Sequence, residues 1–243
     1  MTAHQFECMR PWQIRAELAR RPVAYIPLGT YEWHGEHLPV GLDALTSHGL
    51  CLRAAAQDGG IVLPPLHYGT GGGHGDYPWS IVMLQPQEIE AQLAFTLSKL
   101  KSFGLKLVVL FSGHCPTEQL DMIDRLAATH SNSAMKVVAY AVNRIEGLNI
   151  GPDHAGLFET SLLAALHREL VQLGRLPSLE ARPLQPIEDP FGAVRHDPAH
   201  PLYGVFGPDP RHLKEDDATA LLNGSVNWLV VQVRKVLPIV NRR

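Results

Sequence analysis

The sequence predicts an α/β fold in which a mainly parallel β-sheet is covered by helices on both faces. Short apolar runs of strand length recur along the chain, and amphipathic helical segments separate them. Of the 243 residues, 45% are hydrophobic and 19% are charged, which is typical of a globular protein that fits one compact domain over residues 1–243. Strands that alternate with helices are joined by right-handed crossovers, which cover both faces of a parallel sheet.

The individual elements are predicted from hydrophobic periodicity and from the glycines that end them. The run VAYIPLG at 23–29 is typical of a buried parallel strand, and LKLVVLF at 105–111 is the clearest such strand in the chain. Helix 44–56 has apolar residues at helical spacing and is followed by Gly59 and Gly60. The same patterns predict strands 61–66 and 136–142 and helices 85–103, 117–130, 158–173 and 216–236.

Composition excludes several classes of function. The formal net charge of −3 gives no electrostatic reason to bind nucleic acid or an anionic membrane. The first residues, MTAHQFECMRPWQIRAEL, contain no apolar signal segment, and no apolar run approaches the length of a membrane span. The three cysteines have no paired spacing, so no disulfide framework is predicted. We therefore expect a soluble, cytoplasmic protein that binds neither nucleic acid nor a membrane.

One long segment has no predicted secondary structure. Residues 177–213 hold eight of the nineteen prolines together with Phe191, Tyr203 and Phe206. Unstructured segments of this length inside a compact domain are usually functional. We expect a lid over the site or an arm that contributes to an oligomer.

The first candidate site follows strand 23–29. If the chain stays extended there, Glu32 and His34 point to the same side, and Asp43 lies at the start of the next helix. Two carboxylates and an imidazole suit a divalent metal of borderline hardness, such as zinc or manganese. The alternative is that Asp43 caps its helix and the histidine lines a polar loop.

The second candidate is His114, directly after the most buried strand. Ligands in open α/β sheets bind at the carboxyl ends of the strands, so this side chain is expected to point into the same crevice. The alternative is a loop histidine whose hydrogen bonds are satisfied within the protein. A rival hypothesis makes Cys115 a nucleophile paired with His114. Sequence neighbours on an extended chain face opposite ways, which argues against that pair.

Two further segments carry polar groups at the same edge of the sheet. In DHAGLFETS at 153–161, His154 is a candidate general acid or base because its reference pKa lies near neutrality, and Glu159 lies in the first turn of a helix. The segment YGTGGGHGDYPWS at 68–80 has glycines that permit close approach of the backbone to a ligand. It lacks the Lys-Ser/Thr pair of a phosphate loop.

These segments together resemble the creatininase (creatinine amidohydrolase) family. The resemblance rests on four blocks in the right order, PLGTYEWHGEHLPVGLD, YGTGGGHGDYPWSI, FSGHCPTE and DHAGLFETS, within residues 20–165. It implies a three-layer α/β/α sandwich, a site for one or two zinc or manganese ions, and a homo-oligomer, since hexamers are common in the family.

The resemblance also implies roles for individual residues. Glu32, His34 and His114 would be metal ligands, with Asp43 bridging two ions. His154 would be the acid or base and Glu159 an active-site carboxylate. Candidate substrate contacts are His74, Tyr77, Trp79 and Cys115.

The sequence departs from the family pattern at one metal ligand. Creatininase has an acidic ligand two residues after the loop histidine, where this chain has Pro116. The second ion would need another carboxylate, for which Glu159 is the first choice and Glu118 the second. Creatininase closes tryptophans over its substrate from the region after the loop histidine. This chain has no tryptophan in residues 115–160, which argues against creatinine itself as the substrate.

Three hypotheses of function follow. The first is metal-dependent hydrolysis of a cyclic amide or formamide C–N bond in a small polar metabolite. The second is hydrolytic C–C cleavage of a cyclic ketone or keto-inositol in sugar catabolism. The third is a metal-binding paralogue with impaired catalysis, which only Pro116 supports.

Overall fold

The computed structural model is an α/β fold, and it describes residues 2–83, 85–183 and 189–238. Four strands, β1 (Val23–Leu28), β2 (Ile61–Val62), β3 (Leu107–Ser112) and β4 (Lys136–Ala141), form a parallel sheet in the order β2-β1-β3-β4. Six α-helices accompany them in the described chain: α1 (Pro11–Arg20), α2 (Leu42–Asp58), α3 (Gln87–Ser102), α4 (Thr117–His130), α5 (Leu157–Leu166) and α6 (Glu215–Val236). The predicted α/β class is confirmed.

The two faces of the sheet are covered by different helices. Alternate residues of β1 point to opposite faces, so Tyr25 packs in one apolar cluster and Ile26 in the other. The first cluster joins the sheet to α2, α5 and α6, and the second joins it to α3 and α4. Strands buried on both faces explain the continuous apolar runs of the sequence.

The register of the sheet brings its carboxyl-terminal ends to one level. Leu28 pairs with Ser112, and Ser112 pairs with Ala141. The residues that follow β1 and β3 therefore emerge side by side. Gly29 and Gly113 allow this, because a Cβ on either would collide with the backbone of α2 at Asp43 and Ala44. The first turn of α2 thus lies directly against the ends of both strands.

Two predicted elements are shorter than expected. The predicted helix 158–173 is wrong beyond Leu166, where the chain leaves helical geometry and continues as short 3-10 turns. The amide of Gln172 donates to the carbonyl of His37, and Val171 packs in a third apolar cluster, so tertiary contacts replace the helix. The predicted strand 61–66 ends at Val62 because Pro64 and Pro65 have no N–H to donate.

The proline-rich segment packs against the carboxyl edge of the sheet where it is described, at 177–183 and 189–213; residues 184–188 lie outside the described chain. Leu202 and Val205 are buried against α5 and the start of α2. Phe206 and His154 exchange backbone hydrogen bonds of 2.8 and 2.9 Å. This part of the segment is a wall beside the candidate site. A role as lid or oligomer arm remains a prediction.

Among the described helices, none combines the length and apolar character that a membrane span requires.

Candidate metal centre

A cavity of about 200 Å³ lies at the carboxyl edge of the sheet. The segments after β1 and β3, the glycine-rich segment and the start of α5 all contribute to its wall. The lining residues are Glu32, Asp43, Gly72, His74, Gly113, His114, Cys115, Pro116, Asp153, His154 and Glu159. The four segments that the sequence singled out therefore meet in one place.

The core of this site consists of two buried triads that share one carboxylate. Glu32, Asp43 and His114 form the first, and His34, Asp43 and Glu159 form the second. In each triad the potential ligand atoms lie within 4.8 Å of one another. Asp43 takes part in both because it projects from the first turn of α2, between the ends of β1 and β3.

The distances in the first triad join Nδ1 of His114 to both carboxylates. This nitrogen lies 3.0 Å from Oε2 of Glu32 and 3.2 Å from Oδ2 of Asp43. In the second triad, Nε2 of His34 lies 3.2 Å from Oδ1 of Asp43 and 3.5 Å from Oε2 of Glu159. Two nitrogens thus face three carboxylates in a buried space.

Backbone carbonyls fix the orientation of each imidazole. Nδ1 of His34 donates to the carbonyl of Glu32 at 2.9 Å, and Nε2 of His114 donates to the carbonyl of Gly71 at 3.2 Å. Each ring therefore keeps its other nitrogen for the carboxylates. A hydrogen bond to the second nitrogen is the usual way in which proteins orient a histidine that binds metal.

The electrostatics of the two triad histidines follow from these contacts. Burial opposes a positive charge on His34, but Asp43 and Glu159 outweigh it and raise its pKa to about 10. Burial is likewise outweighed at His114, where Asp43 and Glu32 raise the pKa to about 10. Without a cation, protons on these imidazoles balance the carboxylates.

The carboxylates divide into two kinds. Burial would raise the pKa of Asp43, but His34 and His114 lower it to about 2. Burial is also outweighed at Glu32, where hydrogen bonds from His114 and His74 hold the pKa well below its usual range. By contrast, burial raises the pKa of Glu159 well above its usual range, despite the nearby His34. Of the three carboxylates, Glu159 is therefore the one whose charged form a positive ion would stabilise most.

Glu159 is held in place by an unusual turn before α5. Oε2 of Glu159 accepts from the amide of Ala155 at 2.6 Å, and Ala155 has a positive φ of 55°. Asp153 accepts from the amides of Phe158 at 2.8 Å and Glu159 at 3.2 Å. Asp153 was not predicted as a site residue, although an acidic side chain shortly before a helix is a capping signal in the sequence.

His154 lies beside both triads. Its Nε2 donates to the carbonyl of Trp33 at 2.8 Å, and its ring centroid lies 4.5 Å from that of His34. Burial and the charge of His34 lower the pKa of His154 to about 3. The imidazole is therefore neutral and its Nδ1 carries no proton, but it is a weak base while His34 is charged. Loss of the proton from His34 would remove one of these causes and make Nδ1 a stronger proton acceptor. Glu32, His34 and His154 also form a third possible ligand triad.

The four candidate substrate contacts occupy different positions. His74 and Cys115 line the cavity. Tyr77 lies behind His74 with ring centroids 5.6 Å apart, and Trp79 is 79% exposed with a φ of 64° and does not line the cavity. Burial raises the pKa of the Cys115 thiol, which argues against a thiolate nucleophile.

The two candidates for the missing carboxylate are also separated. Glu159 lines the cavity, whereas Glu118 lies against Gly71 and lines a different depression. Pro116 occupies part of the cavity wall. Glu159 is therefore the carboxylate that the fold brings to the second triad.

Sequence comparisons relate the chain to known proteins. Residues 8–233 match the family model Creatininase, described as creatinine amidohydrolase. The creatinine amidohydrolase of Pseudomonas putida is 28% identical over 212 residues, covering 77% of this chain and 75% of that protein. The mycofactocin precursor peptide peptidase of Mycolicibacterium smegmatis is 26% identical over 157 residues, covering 58% of this chain and 57% of that protein.

Solved structures show the same fold. A crystal structure of creatinine amidohydrolase (creatininase) matches with a TM-score of 0.76 at 23% identity, covering 97% of this chain and 98% of that one. A manganese form of creatininase gives 0.73 at 23% identity, with 97% and 99% covered. A zinc–zinc form of a creatininase variant gives 0.72 at 22% identity, with 96% and 98% covered.

Proposed function

The chain belongs to the creatininase family of metal-dependent amidohydrolases, and on that premise we propose that it hydrolyses a cyclic amide or formamide C–N bond in a small polar metabolite. The observation that carries the proposal is the pair of triads that share Asp43. Two ligand sets joined by one carboxylate suit two neighbouring cations, as in hydrolases that use a pair of metal ions.

The residues fit divalent cations. Among the described residues, Nε2 of His34 and Oδ2 of Asp43 are buried without an aligned hydrogen-bond partner. A cation between the side chains of each triad would satisfy such atoms. Imidazole and carboxylate ligands suit zinc and manganese. Related creatininases occur in zinc–zinc and manganese forms, so we propose zinc or manganese here.

We propose that the carboxylate of Glu159 takes the place of the acidic ligand that creatininase has at the position of Pro116. Glu159 lies within 3.5 Å of His34, and its raised pKa means that a cation would displace its proton. Bound ions supply a water of lowered pKa and a Lewis acid for the substrate carbonyl. Glu159 then acts as a ligand, which leaves the transfer of protons to another residue.

His154 is the residue proposed for proton transfer. Its neutral imidazole lines the cavity, and the Trp33 carbonyl fixes the tautomer that leaves Nδ1 unprotonated. Nδ1 can accept the proton that the attacking water loses and return it to the nitrogen of the leaving group. The backbone bridge between His154 and Phe206 fixes the main chain from which this ring projects.

A second candidate is hydrolysis of a peptide bond. The match to mycofactocin precursor peptide peptidase favours it, and so does a second cavity of about 570 Å³ that Trp33 and Tyr203 line. Trp33 also contacts His154 through its carbonyl, so this cavity lies close to the metal centre. A peptide extending from the scissile bond could occupy it.

A substrate panel on the metal-loaded protein tests the proposal. We expect turnover of lactams or formamides, and no turnover of keto-polyols. Cleavage of peptides alone would favour the second candidate, and cleavage of keto-polyols would favour C–C hydrolysis instead. Two bound ions without turnover of any of these substrates would support an impaired paralogue.

Variants test the ligand assignment in the same assay. His34→Ala and Asp43→Ala should lose metal and turnover together. Glu159→Gln should retain one ion per chain, whereas the matched control Glu118→Gln should retain two. Full activity in a metal-free preparation would refute the proposed chemistry.

We also propose that the chain forms a homo-oligomer. Ile81 is 53% exposed and Tyr68 is 51% exposed, and both contact Tyr31 near the outer surface of the site. Clustered exposed apolar side chains often mark a protein interface. Light scattering after gel filtration should give a multiple of the chain mass, and a monomer would contradict the proposal.

A further inference from the structure

The glycine-rich segment contacts two ligands of the same triad. Nδ1 of His74 donates to Oε1 of Glu32 at 2.8 Å. The carbonyl of Gly71, three residues earlier, accepts from Nε2 of His114 at 3.2 Å. Both contacts are made to Glu32 and His114, the two residues that belong with Asp43 to the first triad.

These two hydrogen bonds determine which atom of Glu32 and which atom of His114 would bind a cation. Oε1 of Glu32 is occupied by His74, so Oε2 is the oxygen that faces Nδ1 of His114 at 3.0 Å. Nε2 of His114 is occupied by Gly71, so Nδ1 is the nitrogen that faces the carboxylates. The segment thus selects one atom on each ligand.

The glycines explain how the backbone comes so close. A Cβ on Gly69 would lie 2.9 Å from the carbonyl oxygen of Gly29 and 3.2 Å from Cδ2 of His114. Gly71 has a φ of 80°, and a Cβ there would collide with the side chain of Glu118. Only residues without a side chain allow the carbonyl of Gly71 to reach His114.

His74 is itself held from the opposite side. Its ring stacks on Phe206 with centroids 5.1 Å apart and planes inclined by 5°, and Tyr77 contacts it edge-on. The segment is also anchored at Thr70, whose backbone amide donates to Oε1 of Gln119 at 3.1 Å. The hydrogen bond to Glu32 is therefore preorganised.

We infer that residues 69–75 position the ligands of the Glu32–Asp43–His114 ion and set its affinity separately from that of the second ion. His74 is then a positioning residue, in addition to any contact with substrate. The inference rests on the proposed metal centre. Loss of a hydrogen bond to a metal ligand typically weakens metal affinity about 10- to 100-fold.

The test measures metal affinity by competition with a chromophoric chelator, using zinc and manganese. In His74→Ala we expect one of the two dissociation constants to rise about 10- to 100-fold while the other is unchanged. His74→Gln, which keeps an N–H donor, should recover part of the loss. His130→Ala removes a partly buried histidine at the end of α4, away from the metal centre, and serves as the matched control.

The same substitution in a Glu159→Gln variant shows which of the two ions loses affinity. Glu159→Gln should hold only the ion of the first triad, and adding His74→Ala should weaken that remaining ion by the same factor. Thermal unfolding of the metal-free variants checks that folding is intact, and Gly71→Ala tests the carbonyl contact separately.

The outcomes are distinguishable. Unchanged affinities in His74→Ala, or an equal loss for both ions, would overturn the inference. If the wild-type chain binds neither metal, the proposed function fails instead, whatever the variants do.

Discussion

Raising the pH should strengthen metal binding steeply, and the structure predicts a different slope for each ion. His34 and His114 both have pKa values raised to about 10 in the metal-free site, so both carry a proton at neutral pH. Burial also raises the pKa of Glu159 well above its usual range, which favours its protonated form. Asp43 and Glu32 have lowered pKa values and carry no proton to release.

The magnitude follows from counting these protons. The first ion displaces the proton of His114, so its association constant should rise about 10-fold per pH unit. The second ion displaces the protons of His34 and Glu159, so its constant should rise up to about 100-fold per pH unit. Both slopes should flatten near pH 10 because the histidines then lose their protons without a metal.

The same pKa values affect the stability of the metal-free protein. Each raised histidine stabilises the fold fully below its unfolded pKa of about 6.5, and the stabilisation is lost as the pH rises through about 10. Metal-free protein should therefore unfold more easily at alkaline pH, where the metal-bound protein is most favoured.

Titration calorimetry in buffers of different ionisation enthalpy measures the released protons directly. At pH 7.5 we expect about two to three protons per chain when both ions bind, one from His114 for the first ion and one or two from His34 and Glu159 for the second. Metal affinity that does not change between pH 6 and 9, or release of less than one proton, would refute this account of the site.

Three further predictions concern residues around the centre. Cys115→Ser should keep metal content and turnover, because burial raises the pKa of the thiol; a 10-fold or greater loss of turnover with metal retained would support a nucleophilic cysteine. Burial lowers the pKa of His37 to about 3, so the wild type should lose stability as the pH falls from about 6.5 towards 3, and His37→Gln should lose about 1.4 kcal/mol less per pH unit in denaturant unfolding. An equal loss of stability per pH unit in the wild type and in His37→Gln would contradict a lowered pKa of His37. Asp153→Ala should lower the free energy of unfolding by about 1–2 kcal/mol because two amides of α5 lose their acceptor, whereas Asp153→Asn should retain most of it; equal losses in both variants would argue against capping.

Much of the fold could be predicted because its elements have simple patterns. Strands β1 and β3 are buried on both faces, so each appears in the sequence as an unbroken apolar run. Their parallel arrangement also places Glu32, His34 and His114 at one edge of the sheet. The meeting of these residues with Asp43 followed from strand order and did not require knowledge of side-chain contacts.

Other features depend on tertiary contacts that periodicity does not contain. Helix α1 is absent from the sequence prediction, although Pro11 at its first position is a start signal. Helix α5 ends at Leu166, but the helical spacing of Leu166, Leu170 and Leu173 makes it look longer in the sequence. The preference for Glu159 over Glu118 becomes a structural result only when α5 is placed against the sheet. The contacts of Gly71 and His74 likewise depend on a loop whose path cannot be inferred from composition.

Anomalous diffraction from crystals of the metal-loaded protein tests the central claim most directly. We predict two metal peaks per chain, one among Glu32, Asp43 and His114 and the other among His34, Asp43 and Glu159, with Asp43 contacting both. A single peak, or a second ion held by Glu118 or by His154 without Glu159, would contradict this account.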